Sequence, residues 1–191
     1  MLTTKTSRCK VCRAPFTKRQ SFESWCSTDC AAELGLRKLA KIKRAAELRE
    51  KRQDRVKRES QKTRSDYVKE AQTAFNQYVR TRDEKKVCIC CGKPLVQGGV
   101  GGGFDCGHYR SVGSAPHLRY DENNAHGQTK QCNRWGAGRA VDYRIGLIDR
   151  IGLEAVEALE ADQTPRKYSV DELKAIKAKY QAKTKELKAN Q

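Results

Sequence analysis

The chain has 191 residues and a formal net charge of +17, from 40 Lys and Arg against 23 Asp and Glu. That excess favours a polyanionic partner, while a hydrophobic fraction of 37% is too lean for a large core and leaves room for one compact unit plus a small module. No run reaches the roughly 18–20 apolar residues of a membrane span, and the polar start Met1-Leu2-Thr3-Thr4-Lys5 lacks the apolar stretch of a signal peptide. The nine cysteines are therefore expected to be cytoplasmic thiols, and in that compartment close Cys pairs more often bind metal than form disulfides.

Residues 1–31 carry two such pairs, Cys9-x2-Cys12 and Cys26-x3-Cys30, with thirteen residues between them. Four soft thiolates at that spacing suit one tetrahedral structural Zn²⁺, closed to further ligands. Phe16, Phe22 and Trp25 can supply a small apolar cap. Residues 32–85 read as a basic helical region. Between Arg37 and Arg64, thirteen Lys and Arg face four Asp and Glu, and Leu36, Leu39, Ile42, Ala46 and Val56 leave only a thin apolar stripe with no clean heptad. This is a solvated helix able to lie along phosphates. A second helix is expected from a Ser65 N-cap, with Tyr67, Ala71, Ala74, Phe75, Tyr78 and Val79 on one face.

Residues 86–140 hold the other cysteines and all three histidines. The run Gln97 to Gly103, with five glycines, predicts a loop or hairpin tip. Residues 141–191 turn helical again. Val141, Ile145, Ile148 and Ile151 keep helical spacing up to Gly152, and Val156 and Leu159 mark a short helix before Thr164-Pro165. Ser169-Val170-Asp171-Glu172 has the spacing of a capping box, opening a closing helix with Leu173, Ile176, Tyr180, Thr184 and Leu187 in a stripe.

The chemistry concentrates between residues 88 and 139. Cys88-x2-Cys91 is followed by Phe104-Asp105-Cys106-Gly107-His108-Tyr109, then Asn123-Asn124-Ala125-His126, then Thr129-x2-Cys132-Asn133. This order resembles the HNH, or ββα-metal, endonucleases, among them junction resolvases of the phage endonuclease VII kind. The resemblance implies an α+β fold: an N-terminal zinc knuckle, a long basic helix and a ββα-metal core with flanking helices. It maps Asp105 and Asn133 onto ligands of a catalytic Mg²⁺ or Mn²⁺, and His108 onto the general base. Hard oxygen ligands suit those ions, and an imidazole neutral near pH 7 can accept a proton from water.

The basic N-terminal module, the charged helix, the Asp-x-Gly-His-Tyr-Arg run (105–110), the His-x-Gln stretch (126–128) and the Tyr-Arg-x-x-Leu-Ile stretch (143–148) together are similar to the NinG/Rap recombination proteins of lambdoid phages. That resemblance spans nearly the whole chain. It implies a structure-specific nuclease for Holliday junctions and D-loops, acting in the bacterial host cytoplasm. A two-fold dimer and a phage recombinase partner are also expected. Two departures stand out. Thr129 occupies a position where the family pattern has Cys, leaving Cys88, Cys91 and Cys132 for a second zinc, with Cys90, Cys106 or His126 as candidate fourth ligands. Asp105 lies three residues before His108, where typical HNH sites place the acid next to the histidine.

Arg110, Arg119, Lys130, Arg134 and Arg139 surround the expected centre and are candidates to clamp a DNA strand. Trp135 either stacks on an unpaired base or packs in the core, His126 is an alternative ligand or phosphate contact, and His117 is expected at the surface. Two other readings remain: a non-catalytic zinc-containing DNA-binding or recruitment protein with a decayed core, and a basic RNA-binding or regulatory finger.

Overall fold

The computed structural model describes residues 6–96, 98 and 103–190, so most of the glycine run expected to form a loop or hairpin tip lies outside the described residues. The chain forms two compact units, residues 1–61 and 62–191. The division falls between the two helices that the sequence grouped into one region, 32–85.

In the first unit, β1 (Thr6–Arg8) pairs antiparallel with β2 (Pro15–Thr17), Ser7 opposite Phe16. Cys9 and Cys12 sit in the connecting turn, which Arg13 closes in the left-handed region at φ 63°. Then α1 (Thr28–Ser60) runs for 33 residues. Ser27 is its N-cap, its hydroxyl accepting the Cys30 N–H at 3.2 Å, with Asp29 in the first turn where the helix dipole favours an anion. No residue of α1 is buried, as the thin stripe implied. Of the expected aromatic cap, Phe16 and Trp25 are half-buried, whereas Phe22 is exposed and only leans on Trp25.

The second unit contains α2 (Arg64–Asp83), β3 (Phe104–His108), β4 (Ala125–Thr129), α3 (Ala140–Ile151), α4 (Leu153–Ala161) and α5 (Val170–Ala189). The α2 face read from the sequence is the buried one, and it packs on α5 through Phe75, whose ring meets Tyr180 edge-on at 4.8 Å. The helix begins earlier than expected: Thr63, not Ser65, is the N-cap, and the Asp66 carboxylate accepts its N–H at 2.9 Å and its hydroxyl at 2.8 Å. At α5 the predicted capping box is present, Glu172 accepting the Ser169 N–H and donating its own N–H to the Ser169 hydroxyl.

The face of α3 differs from expectation. Val141 and Ile145 are exposed, while Tyr143 and Leu147 are buried with Val156 and Leu159 of α4. Tyr143 is amphipathic, so an apolar count passed over it, yet its hydroxyl donates to the Gly107 carbonyl at 2.9 Å and ties α3 to β3. Gly146 allows the closest approach on this helix, since a Cβ there would lie 1.9 Å from the Ile89 carbonyl oxygen.

β3 and β4 form an antiparallel pair, Phe104 opposite Thr129 and His108 opposite Ala125. A buried ion network holds it to the end of α2. Asp83, fully buried, accepts two hydrogen bonds from Arg82 and the Gly127 N–H of β4 at 2.8 Å, with Lys86 at 3.0 Å. A buried carboxylate is tolerable only with such partners. This clamp sets the position of the strand pair that carries the candidate site.

Candidate metal and nucleic-acid site

The sulfurs of Cys9, Cys12, Cys26 and Cys30 all lie within 4.8 Å of one another. Two come from the β1–β2 turn, where the Val11 N–H points at Cys9 Sγ, Cys26 stands just before the N-cap of α1, and Cys30 lies in its first turn. Four sulfurs converging without disulfides are compatible with a structural zinc.

Cys88, Cys91 and Cys132 form a second group within the same distance of one another. The cluster contains neither Cys90, Cys106 nor His126. Cys90 receives the Gln128 side-chain amide at 2.9 Å, Cys106 packs against the α2 core, and His126 is occupied elsewhere. The neighbouring Cys90 thiol lowers the Cys88 thiol below its usual range and is itself raised by the same contact; its own Sγ points at the Gly138 carbonyl at 3.8 Å. Thr129 Oγ1 stands 3.8 Å from Cys88 Sγ but accepts the Cys132 N–H at 3.3 Å. The threonine thus caps the following turn rather than adding a fourth soft ligand.

That turn, Gln131–Trp135, is a single π-type turn, and it presents Asn133 to β3. Asn133 Nδ2 donates to Asp105 Oδ2 at 3.1 Å, and Arg134 donates to the same carboxylate through Nε at 2.7 Å and Nη2 at 2.9 Å. Burial works to raise the Asp105 pKa, but the bonds from Arg134 and Asn133 outweigh it and hold the group below its usual range. Asp105 and Asn133 thus bring a carboxylate and an amide together; the amide nitrogen faces the carboxylate, and only with the amide turned would both present the hard oxygens that suit Mg²⁺ or Mn²⁺.

His108 and Asn133 line one cavity of about 320 Å³, with Cys106, Ser111, Gly138 and Tyr143. Asp105 is not among its lining residues; three apart on a strand, Asp105 and His108 point to opposite faces. Asn133 joins the two, bonded to one and sharing the cavity with the other. The His108 ring packs on Phe75, and its Nε2 lies 3.0 Å from the Arg119 carbonyl. Because a carbonyl only accepts, that nitrogen carries the proton and Nδ1 keeps its lone pair. Burial holds the His108 pKa below the ordinary value of 6.5, so the ring is neutral at pH 7.

The surrounding bases are more committed than the sequence suggested. Arg110 donates to the Leu159, Glu160 and Asp162 carbonyls and so caps the end of α4. Arg119 reaches Gln72, Arg139 pairs with Asp142, and Arg134 holds Asp105. His126, expected as a ligand or phosphate contact, is instead 3% exposed, its Nε2 on the Asn123 carbonyl and its Nδ1 3.2 Å from Arg82. His117 is no surface residue either: its side chain is 8% exposed and bonds the Asp162 carbonyl. Trp135, beside Asn133, is 79% exposed, which excludes the core-packing alternative. No sequence pattern assigned a positioning role to Asp83 or Tyr143, whose polar groups fix the strands from α2 and α3.

The model of the bacteriophage lambda NinG protein family matches residues 1–190. The chain belongs to the NinG family. It is 36% identical to the ninG protein of Escherichia phage 933W over 192 residues, covering 95% of this chain and 93% of the relative. The ninG proteins of Salmonella phage P22 and Escherichia phage lambda are each 36% identical over 194 residues, at the same coverage. No solved structure matches. Membership in the NinG family agrees with the resemblance read from the Asp105–Arg110 and Tyr143–Ile148 stretches. Among the described residues of this NinG-family chain, no helix is long and apolar enough to cross a membrane.

Proposed function

We propose that this chain is a metal-dependent, structure-specific DNA endonuclease of the HNH type, acting on branched recombination intermediates such as Holliday junctions and D-loops. The observation that carries the reading is the position of Asn133, bonded to Asp105 on one side and sharing the His108 cavity on the other. Phosphodiester hydrolysis needs a base for the attacking water and a counter-charge for the phosphate. His108 Nδ1 takes the proton, held in the right tautomer by the Arg119 carbonyl. Asp105 and Asn133 would hold a divalent cation, which supplies Lewis acidity and charge neutralisation at the scissile phosphate. Arg134, 55% exposed in its side chain, reaches both the carboxylate and solvent, where a phosphate would arrive. The exposed Trp135 ring offers a stacking platform for an unpaired base at a branch point, and the net charge of +17 supplies salt-dependent affinity for the backbone.

The test is incubation of a labelled four-way junction and a linear duplex with the purified chain in Mg²⁺ and in Mn²⁺. Nicking of the junction, sparing of the duplex, and loss of nicking but not of binding in His108→Ala support the reading. Tight binding without cleavage in either metal, or cleavage undiminished in His108→Ala, overturns it.

A further inference from the structure

A 33-residue helix with no buried residue exposes apolar side chains for a reason the rest of its own unit does not supply. Leu39 is 63% exposed, Ile42 65% and Val56 62%. With α1 established as unbroken from Thr28 to Ser60, these residues fall in one row at alternating spacings of three and four: Leu39, Ile42, Ala46, Arg49, Gln53, Val56. This is the a/d row of a coiled coil. Arg49 and Gln53 within it hide the heptad from a count of apolar residues.

The flanking charges decide what lies on that row. Two copies set parallel bring Lys38 against Lys43 and Arg52 against Lys57, like charges at both edges. Set antiparallel, Leu39 faces Val56 of the second copy, Ile42 faces Gln53 and Ala46 faces Arg49, the small alanine leaving room for the arginine stem to run out to water. The same register brings Lys43 opposite Glu50 and Lys38 opposite Glu59, each twice by the two-fold axis, with no like-charged pair. Meanwhile Lys41, Arg44, Lys51, Arg55 and Arg58 recur on the opposite side of the helix, pointing away from a partner and open to a polyanion.

We propose that α1 is a self-association surface, pairing antiparallel with α1 of a second copy of this chain through the Leu39–Val56 row. The inference rests on the helix and its charge pattern and is independent of the nuclease reading. A core of two apolar layers and several polar ones makes the pair weak and concentration-dependent.

Charge reversal in the full-length chain tests it by sedimentation velocity across a concentration series at low salt. The native chain is expected to pass from monomer to dimer. Lys43→Glu and Glu50→Lys should each weaken dimerisation at least roughly tenfold, two repelling pairs replacing two attracting ones, and the double variant should restore it. A parallel pair predicts the reverse for Lys43→Glu, which would set a carboxylate against Lys38 and tighten association. Both substituted positions lie on the exposed helix surface, and an unchanged helical circular dichroism signal confirms folding. A native chain monomeric throughout, a Lys43→Glu variant that dimerises as well as the native chain or better, or a double variant that stays monomeric overturns the proposal.

Discussion

Arg134 grips Asp105 with two hydrogen bonds, Nε to Oδ2 at 2.7 Å and Nη2 to Oδ1 at 2.9 Å. The guanidinium therefore covers the carboxylate, and a divalent cation held there, as proposed, would compete with it. Arg134→Gln is expected to tighten Mn²⁺ binding by roughly three- to tenfold, as the loss of an exposed ion pair allows, read by electron paramagnetic resonance of free Mn²⁺. The same variant should bind a junction more weakly, having lost a phosphate contact. An unchanged Mn²⁺ affinity would detach Arg134 from the metal site.

On the proposed function, His108 would govern the acid limb of cleavage. Its working form is the neutral ring, and burial keeps its pKa below 6.5. Cleavage should therefore stay level as pH falls from 8 to about 6.5, the ordinary histidine value, and decline only below it. A midpoint above 6.5 would assign the proton transfer to another group.

His126 makes stability depend on acid. Burial, helped by the neighbouring Arg82 cation, pushes its pKa down to about 4, while an unfolded histidine titrates near 6.5. With the folded value depressed, the unfolded chain takes up the proton first. The contribution is whole above pH 6.5 and is lost as pH falls from there toward 4. By pH 5 the loss should reach about 2 kcal/mol. Urea titrations of the native chain and His126→Gln at pH 7 and pH 5 check this, the variant losing that part of the slope.

Thr129→Cys should complete the cluster of Cys88, Cys91 and Cys132 with a fourth thiolate. Zinc release to a colorimetric chelator should then be slower by tenfold or so, in line with a closed four-sulfur site. The native chain should surrender metal from this group before it surrenders metal from Cys9, Cys12, Cys26 and Cys30. Simultaneous release from both groups, or no gain in Thr129→Cys, would show that the fourth position is already filled.

The parts of this molecule visible in the sequence are those governed by short-range periodicity. The buried face of α2, the Ser169–Glu172 capping box and the pairing of cysteines at two- and three-residue gaps all depend on neighbours within a turn or two. The pairing of Asp105 with Asn133 comes from the family resemblance, since no local period joins residues 28 positions apart. The assignments that changed depend on distant partners. Arg110 is claimed by carbonyls of α4, His117 by Asp162 and His126 by Arg82, none of them near in sequence. The start of α2 moved because Thr63 and Ser65 are equally good caps, and only Asp66, three residues after Thr63, breaks the tie. On α3 the buried residue is an aromatic with a hydroxyl, which a purely apolar stripe leaves out.

The absence of buried residues along α1 also determines how that helix melts. In the monomer no buried side chain links one end to the other, so opening need not be all-or-none. The first turn is pinned by the Ser27 cap and by Cys30 among the clustered sulfurs, whereas the end near Ser60 is closed by bonds within its last turn, the Ser60 hydroxyl donating to the Lys57 carbonyl at 2.8 Å. Amide hydrogens should therefore exchange along a gradient, slowest beside Cys30 and fastest toward Ser60. Removing zinc should erase that gradient from its protected end, turning a local metal ligand into the control of helix content tens of ångströms away.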